Sequence, residues 1–120
     1  MVPTRYRVIS YGFGFVGLYH LAALTVPEFG RVAYSANYPP ARHMVFIAIN
    51  FAFAWLMRSG AMWLIWPYSL AMLQVMVAHG THVWQTWQEQ RHFEWTSVTV
   101  MVAVIVGFGL LWTDRQARRC

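Results

Sequence analysis

The chain has 120 residues, of which 58% are hydrophobic, 18% aromatic and only 11% charged. Since about a quarter of the residues in a soluble domain are charged, this composition is typical of a membrane protein and argues against a water-soluble domain. The net charge of +5 comes entirely from arginine. These arginines lie between hydrophobic segments rather than on one face, so we expect no nucleic-acid partner.

The first half of the chain predicts two transmembrane helices joined by its longest polar connection. The apolar run that follows Arg5 and Arg7 is about 19 residues long, which is enough to cross a bilayer. Pro39 and Pro40 mark the start of the second helix, because proline is tolerated in the first turn of a helix but not in its interior. The segment between the two helices is the predicted outer loop.

The second half predicts two more helices. The hydrophobic stretch from Met44 to Trp84 is too long for one crossing at about 1.5 Å per residue, and Pro67 suits the first turn of a new helix. The last segment is rich in valine, but within lipid only a helix satisfies every backbone group of an open chain, which outweighs valine's low helix propensity. The predicted helices cover residues 8–26, 40–58, 67–88 and 95–112, with the outer loop at 27–39.

Four crossings place both termini on the same side of the membrane. That side collects six arginines, against three on the other side, so the positive-inside rule predicts cytoplasmic termini. The predicted fold is an all-α integral membrane protein, a four-transmembrane-helix bundle that forms a single membrane domain over residues 1–120. This layout is similar to that of many small bacterial membrane proteins, so we expect a multi-pass protein of the cell membrane, specifically the bacterial inner membrane.

Polar side chains inside the predicted spans are the candidate functional residues. The helix rise places His20 and His79 at nearly the same depth, slightly outside the midplane of the bilayer. An ionisable residue in hydrocarbon indicates a function by default, because polar groups there are costly unless paired. The predicted cofactor-binding residues are His20, His79 and His82, and the predicted polar intramembrane cluster is Asn50, Gln74, Thr81 and Gln85.

The third helix carries most of these residues, and its period of 100° per residue separates them into stripes. One stripe contains Gln74, Thr81, Gln85 and Gln88. An adjoining stripe contains His79, His82 and Thr86, and the apolar residues Leu73, Met76, Gly80, Trp84 and Trp87 lie opposite. We therefore expect this helix to turn a polar face inward and an apolar face toward lipid or a partner. Four further polar residues near the outer surface could complete a site there, but they are more typical of ordinary loop polarity: Glu28, His43, His92 and Glu94.

Three interpretations fit the intramembrane residues. Neutral His, Asn and Gln side chains commonly join helices through hydrogen bonds worth about 0.6 to 2 kcal/mol. Alternatively, imidazole nitrogens bind a cofactor: His20 and His79 suit the two axial ligands of a b-type haem or one ligand to a chlorin, and a quinone or metal ion is also compatible. Third, the protein is a small permease that depends on Asn50 or Gln74, although its predicted spans contain no Asp or Glu for proton coupling.

No catalytic motif stands out, and four short helices leave little room for catalytic machinery. We therefore predict a non-enzymatic small membrane protein, an accessory or scaffold subunit that associates with itself or with other membrane proteins. The fourth helix supports this prediction because it has no strongly polar face to hide. Pairs of small residues four positions apart also permit close helix approach. These pairs are Ser10 and Gly14, Ala48 and Ala52, and Ala103 and Gly107.

Overall fold

The computed structural model describes residues 2–29 and 39–119. All regular secondary structure in these two ranges is helical, which confirms the predicted all-α class. The elements are α1 (Thr4–Thr25), α2 (Pro40–Met57), a 3₁₀ turn (Met62–Leu64), α3 (Ile65–Gln90) and α4 (Trp95–Ala117). Most of the predicted outer loop at 27–39 lies outside the described residues.

The helix ends agree with the sequence to within two residues, except at two places. α1 begins at Thr4 rather than at residue 8, directly after Pro3. α4 continues to Ala117 rather than ending at residue 112, and the Arg118 side chain that follows it pairs with Asp114 at 2.7 Å. The predicted ends followed the apolar stretch, whereas a helix continues through polar residues until its last backbone groups find other partners.

Three of these helices, α1, α2 and α4, are long and apolar enough to cross a membrane. The protein therefore has the character of a membrane protein. α3 is the longest helix at 26 residues, but it is not among the three. Its glutamine, histidine and threonine side chains lower its hydropathy. A fourth crossing, the four-helix bundle and the cytoplasmic side of the termini stay predictions.

The chain divides into two compact units, Met1–Gly60 and Ala61–Cys120. In the first unit, α1 and α2 pack as an antiparallel hairpin. The Ser10 hydroxyl donates a hydrogen bond of 2.6 Å to the Ala54 carbonyl oxygen. Further along, Gly17 lets the Phe51 ring approach so closely that a Cβ atom on this glycine would lie 3.2 Å from it. The single membrane domain proposed from the sequence stays a prediction.

In the second unit, α3 and α4 also form an antiparallel hairpin. The buried Tyr68 hydroxyl donates a hydrogen bond of 3.0 Å to the Val104 carbonyl oxygen, one turn before Gly107. A Cβ atom on Gly107 would collide with this hydroxyl, so glycine is what allows the tyrosine to lie against α4. Ser10 and Gly107, two of the small residues identified in the sequence, thus serve packing within their own hairpins.

Candidate functional site

Two histidines face each other inside the first hairpin. His20 of α1 and His43 of α2 are 8% and 5% exposed, and their Nδ1 atoms lie 3.1 Å apart. The Phe46 ring stacks on the His20 ring, with 5.2 Å between centroids and an interplanar angle of 16°. Helix packing and aromatic stacking therefore both hold His20 in place.

The Nδ1–Nδ1 distance restricts the chemistry of this pair. As a hydrogen bond it requires one ring to carry its proton on Nδ1 and the other to accept there, so the two neutral rings are different tautomers. The same distance fits two adjacent ligands of one metal ion, since bonds of about 2.0–2.1 Å subtend it at an angle of roughly 98°. It does not fit two axial ligands of one haem, whose nitrogens would be about 4 Å apart on opposite sides of the iron.

The described residues contain no group of three or more His, Cys, Asp or Glu side chains that could hold a metal ion. His20 and His43 would therefore supply two of the ligands, and water or another molecule would supply the others. Asn50, which we predicted in the polar cluster, is buried two turns after His43 along α2. Its Nδ2 donates a hydrogen bond of 2.8 Å to the Phe46 carbonyl oxygen, so this amide is bonded within its own helix.

A second polar cluster joins α3 to the start of α4 in the other hairpin. His79 Nδ1 lies 2.8 Å from the hydroxyl of Ser97, which is buried. Glu94 caps α4: its carboxylate accepts from the backbone N–H of Thr96 at 3.2 Å and of Ser97 at 2.7 Å. Such a cap satisfies two of the backbone donors that a helix N-terminus leaves unpaired.

The electrostatics of the cap involve His82. Burial by itself would raise the pKa of the Glu94 carboxyl, but hydrogen bonds from Ser97 and Thr96, together with the nearby His82 charge, outweigh it and lower this pKa below its ordinary value. Glu94 is therefore ionised at neutral pH. Because a carboxylate only accepts, a Ser97 hydroxyl that donates to it must accept from His79 Nδ1–H. His79 then carries its ring lone pair on Nε2.

The polar stripe of α3 points away from α4. Gln74, Thr81, Gln85 and Gln88 are all exposed. The Thr81 hydroxyl donates 2.7 Å to the Val77 carbonyl oxygen of its own helix. The amides of Gln74 and Gln85 make no hydrogen bond with any described residue. We refer to Gln74, Thr81, Gln85 and Gln88 together as the glutamine face.

The structure thus distributes the predicted site residues among three places. His20 pairs with His43, and His79 pairs with Ser97, so each of the two predicted ligands has a partner within its own unit. His82 is exposed and acts on Glu94 through its charge. That His20 and His79 bind one cofactor stays a prediction.

The sequence pattern alone assigns no site role to Ser97, and it favours loop polarity over a site for His43 and Glu94. The prediction that His43 is ordinary loop polarity is wrong, since its side chain is buried. A signal was present: His20 lies five residues before the end of α1 and His43 three residues after the start of α2, so an antiparallel hairpin brings them to the same level. The Glu94 cap was harder to find, because Ser, Thr, Asp and Asn are the usual N-cap residues.

Comparison with known proteins gives no relative from which a function could be inferred. No protein-family model, no curated protein and no solved structure matches this chain.

Proposed function

We propose that this protein is a non-enzymatic subunit of a membrane assembly, which crosses the bilayer four times and contacts another protein chain through the glutamine face of α3. The assembly contains either further copies of this chain or other membrane proteins. The observation that carries the proposal concerns Gln74 and Gln85, on a helix that pairs with an apolar one. Their amides are exposed and make no hydrogen bond with any described residue.

The α3–α4 hairpin supports the proposed fourth crossing. α4 is apolar enough to span a membrane, and α3 runs antiparallel to it, with contacts from Tyr68 against Val104 to His79 against Ser97. We expect a helix that contacts its neighbour along this length to accompany it through the bilayer. With α1 and α2 this gives four crossings, and the arginine distribution supports cytoplasmic termini.

The depth of the glutamine face in the bilayer determines whether its amides need protein hydrogen-bond partners. Measured from the middle of α3, Gln74 lies about 5 Å and Gln85 about 11 Å along the helix axis, both within the roughly 15 Å half-thickness of the hydrocarbon. Thr81 is satisfied by its own helix, but a primary amide in lipid loses hydrogen bonds worth several kcal/mol. A protein surface that offers donors and acceptors removes this cost, whereas lipid tails cannot.

Native mass spectrometry after gentle detergent extraction tests the proposal. The wild type should appear with a second copy or a companion protein, and Gln74→Leu with Gln85→Leu should release it as a monomer. Ile105→Leu is the matched control, because it changes an exposed apolar residue of α4 and should leave the assembly unchanged. A wild-type protein that is monomeric and has no companion would refute the proposal.

A second candidate function, metal binding, is favoured by the spacing of His20 and His43. Their Nδ1 atoms have the separation of two adjacent ligands of one metal ion. Elemental analysis and an absorption spectrum of the purified protein test it. Bound metal that is lost in His43→Ala and kept in His92→Ala, which changes an exposed histidine, would support it. A metal-free, colourless wild type would exclude both metal and tetrapyrrole.

A further inference from the structure

A surface groove runs along the first hairpin between α1 and α2. Its volume is about 440 Å³, and it is open to the surroundings along its length. Five of its lining side chains are large, exposed and apolar or aromatic: Tyr11, Phe15, Leu18, Phe51 and Trp55. From Ser10 to Leu18 the groove follows about 12 Å of helix, which is close to the depth of one leaflet's hydrocarbon.

Gly14 forms the floor of this groove on α1. A Cβ atom at Gly14 would find no atom within 4 Å, so the space above it is empty of protein. On α2 the floor is completed by Ala54, whose carbonyl oxygen is already used by the Ser10 hydroxyl. The groove therefore presents carbon surface and no unsatisfied backbone group at this level. A hydrocarbon chain is the chemistry that this surface accepts.

Two arginines stand at one end of the groove. Arg58 is one of its lining residues, and it follows the last residue of α2. Arg7 lies on α1 one turn before Tyr11 and two turns before Gly14, so helical periodicity places it on the groove face. The Ser10–Ala54 hydrogen bond shows which residues of the two helices lie at the same height. Arg7 is three residues beyond this bond on α1 and Arg58 is four residues beyond it on α2, so the two arginines lie at similar heights.

The charge of these arginines is available to a ligand. Both are exposed, and neither forms an ion pair with a carboxylate among the described residues. Arginine recognises phosphate through several donors in a fixed plane, and basic pockets beside transmembrane helices bind anionic lipid head groups. The apolar groove and the two arginines thus match a molecule with a hydrocarbon chain at one end and an anionic group at the other.

We propose that the α1–α2 groove binds an anionic phospholipid, with the phosphate at Arg7 and Arg58 and an acyl chain along Tyr11, Gly14 and Leu18. The site lies entirely within the first hairpin and does not depend on the glutamine face of α3. If both termini are cytoplasmic, the head group belongs to the inner leaflet, where anionic lipids are concentrated.

The test uses native mass spectrometry of the full chain in detergent with an equimolar mixture of phosphatidylglycerol and phosphatidylcholine of identical acyl chains. The wild type should retain phosphatidylglycerol in preference. Arg7→Gln with Arg58→Gln should reduce this preference roughly 25-fold, since each arginine near a membrane surface favours anionic lipid about fivefold and two contributions multiply. Arg7→Lys with Arg58→Lys keeps the charge and should keep most of the preference.

Two matched controls separate the site from net charge and from folding. Arg91→Gln with Arg119→Gln removes the same two charges elsewhere and should leave the preference unchanged. Gly14→Leu fills the groove and should reduce retention of both lipids, whereas Gly12→Leu, at an equally open glycine of the same helix that does not line the groove, should not.

Three outcomes would overturn the proposal. A preference for phosphatidylglycerol that persists in the Arg7 and Arg58 double glutamine variant would show that it arises elsewhere. An equal loss of this preference in the Arg91 and Arg119 variant would show that the preference depends only on the net charge of the protein. Finally, a dimer that Gly14→Leu dissociates while lipid retention stays at the wild-type level would show that a second copy, rather than a lipid, fills the groove.

Discussion

The contact between Tyr68 and Gly107 makes the sharpest prediction about the second hairpin. Gly107→Ala places a methyl group where the Tyr68 hydroxyl lies, so the tyrosine must move and lose its bond to the Val104 carbonyl oxygen. Forcing an extra carbon into a packed site costs about 1–3 kcal/mol, and the lost hydrogen bond adds about 0.5–1.5 kcal/mol. We expect a total destabilisation of about 2–4 kcal/mol.

The assay is unfolding of the purified protein by increasing mole fraction of sodium dodecyl sulfate, followed by loss of helical circular dichroism. Gly109→Ala is the control on the same helix, because a Cβ atom there meets nothing within 4 Å. It should be neutral or stabilise by up to about 1 kcal/mol. Tyr68→Phe combined with Gly107→Ala should recover part of the loss, since the atom that collides is gone. Equal stability of the two alanine variants would refute this account of the hairpin.

Three further predictions concern the polar contacts. Ser10→Ala should destabilise the first hairpin by about 0.6–1.7 kcal/mol in the same assay, whereas Ser69→Ala, whose hydroxyl bonds its own helix, should change little; equal losses would contradict the interhelical role of Ser10. Glu94→Gln should remove a pH dependence of the protein's stability. Because the pKa of Glu94 in the folded protein lies below its ordinary value of 4.5, the carboxylate stabilises the protein above pH 4.5, and this contribution is lost as the pH falls through the folded pKa. The unfolding midpoints of wild type and variant should therefore converge at low pH. A constant difference between the two would exclude this role. His43→Ala should destabilise by about 1–3 kcal/mol through loss of the buried ring contact with His20, and a neutral effect in the unfolding assay would speak against the pair.

Much of the fold could be predicted from the sequence because hydrophobic length and proline position are local signals. Pro40 opens α2 and Pro67 lies in the first turn of α3, as expected. The helix ends at Thr4 and Ala117 could not be found from hydropathy, since the helices extend beyond the apolar residues that identify them.

The site was less predictable because it depends on register between helices. Depth estimates put His20 and His79 at one level, but levels do not say which helices are neighbours. The described contacts pair His20 with His43 and His79 with Ser97, both across hairpins. The stripe of Gln74 and Gln85 was recognised from periodicity, whereas its direction relative to α4 required the packing of Tyr68 against that helix.

Site-specific photocrosslinking at Gln74 in intact membranes tests the proposed assembly most directly. A p-benzoylphenylalanine in place of Gln74 reacts with whatever covers the glutamine face, and the same group in place of Ile105 reports on an exposed apolar position of α4. We expect a protein adduct at position 74, with either a second copy or a companion chain, in higher yield than at position 105. Adducts with lipid only at position 74 would contradict it.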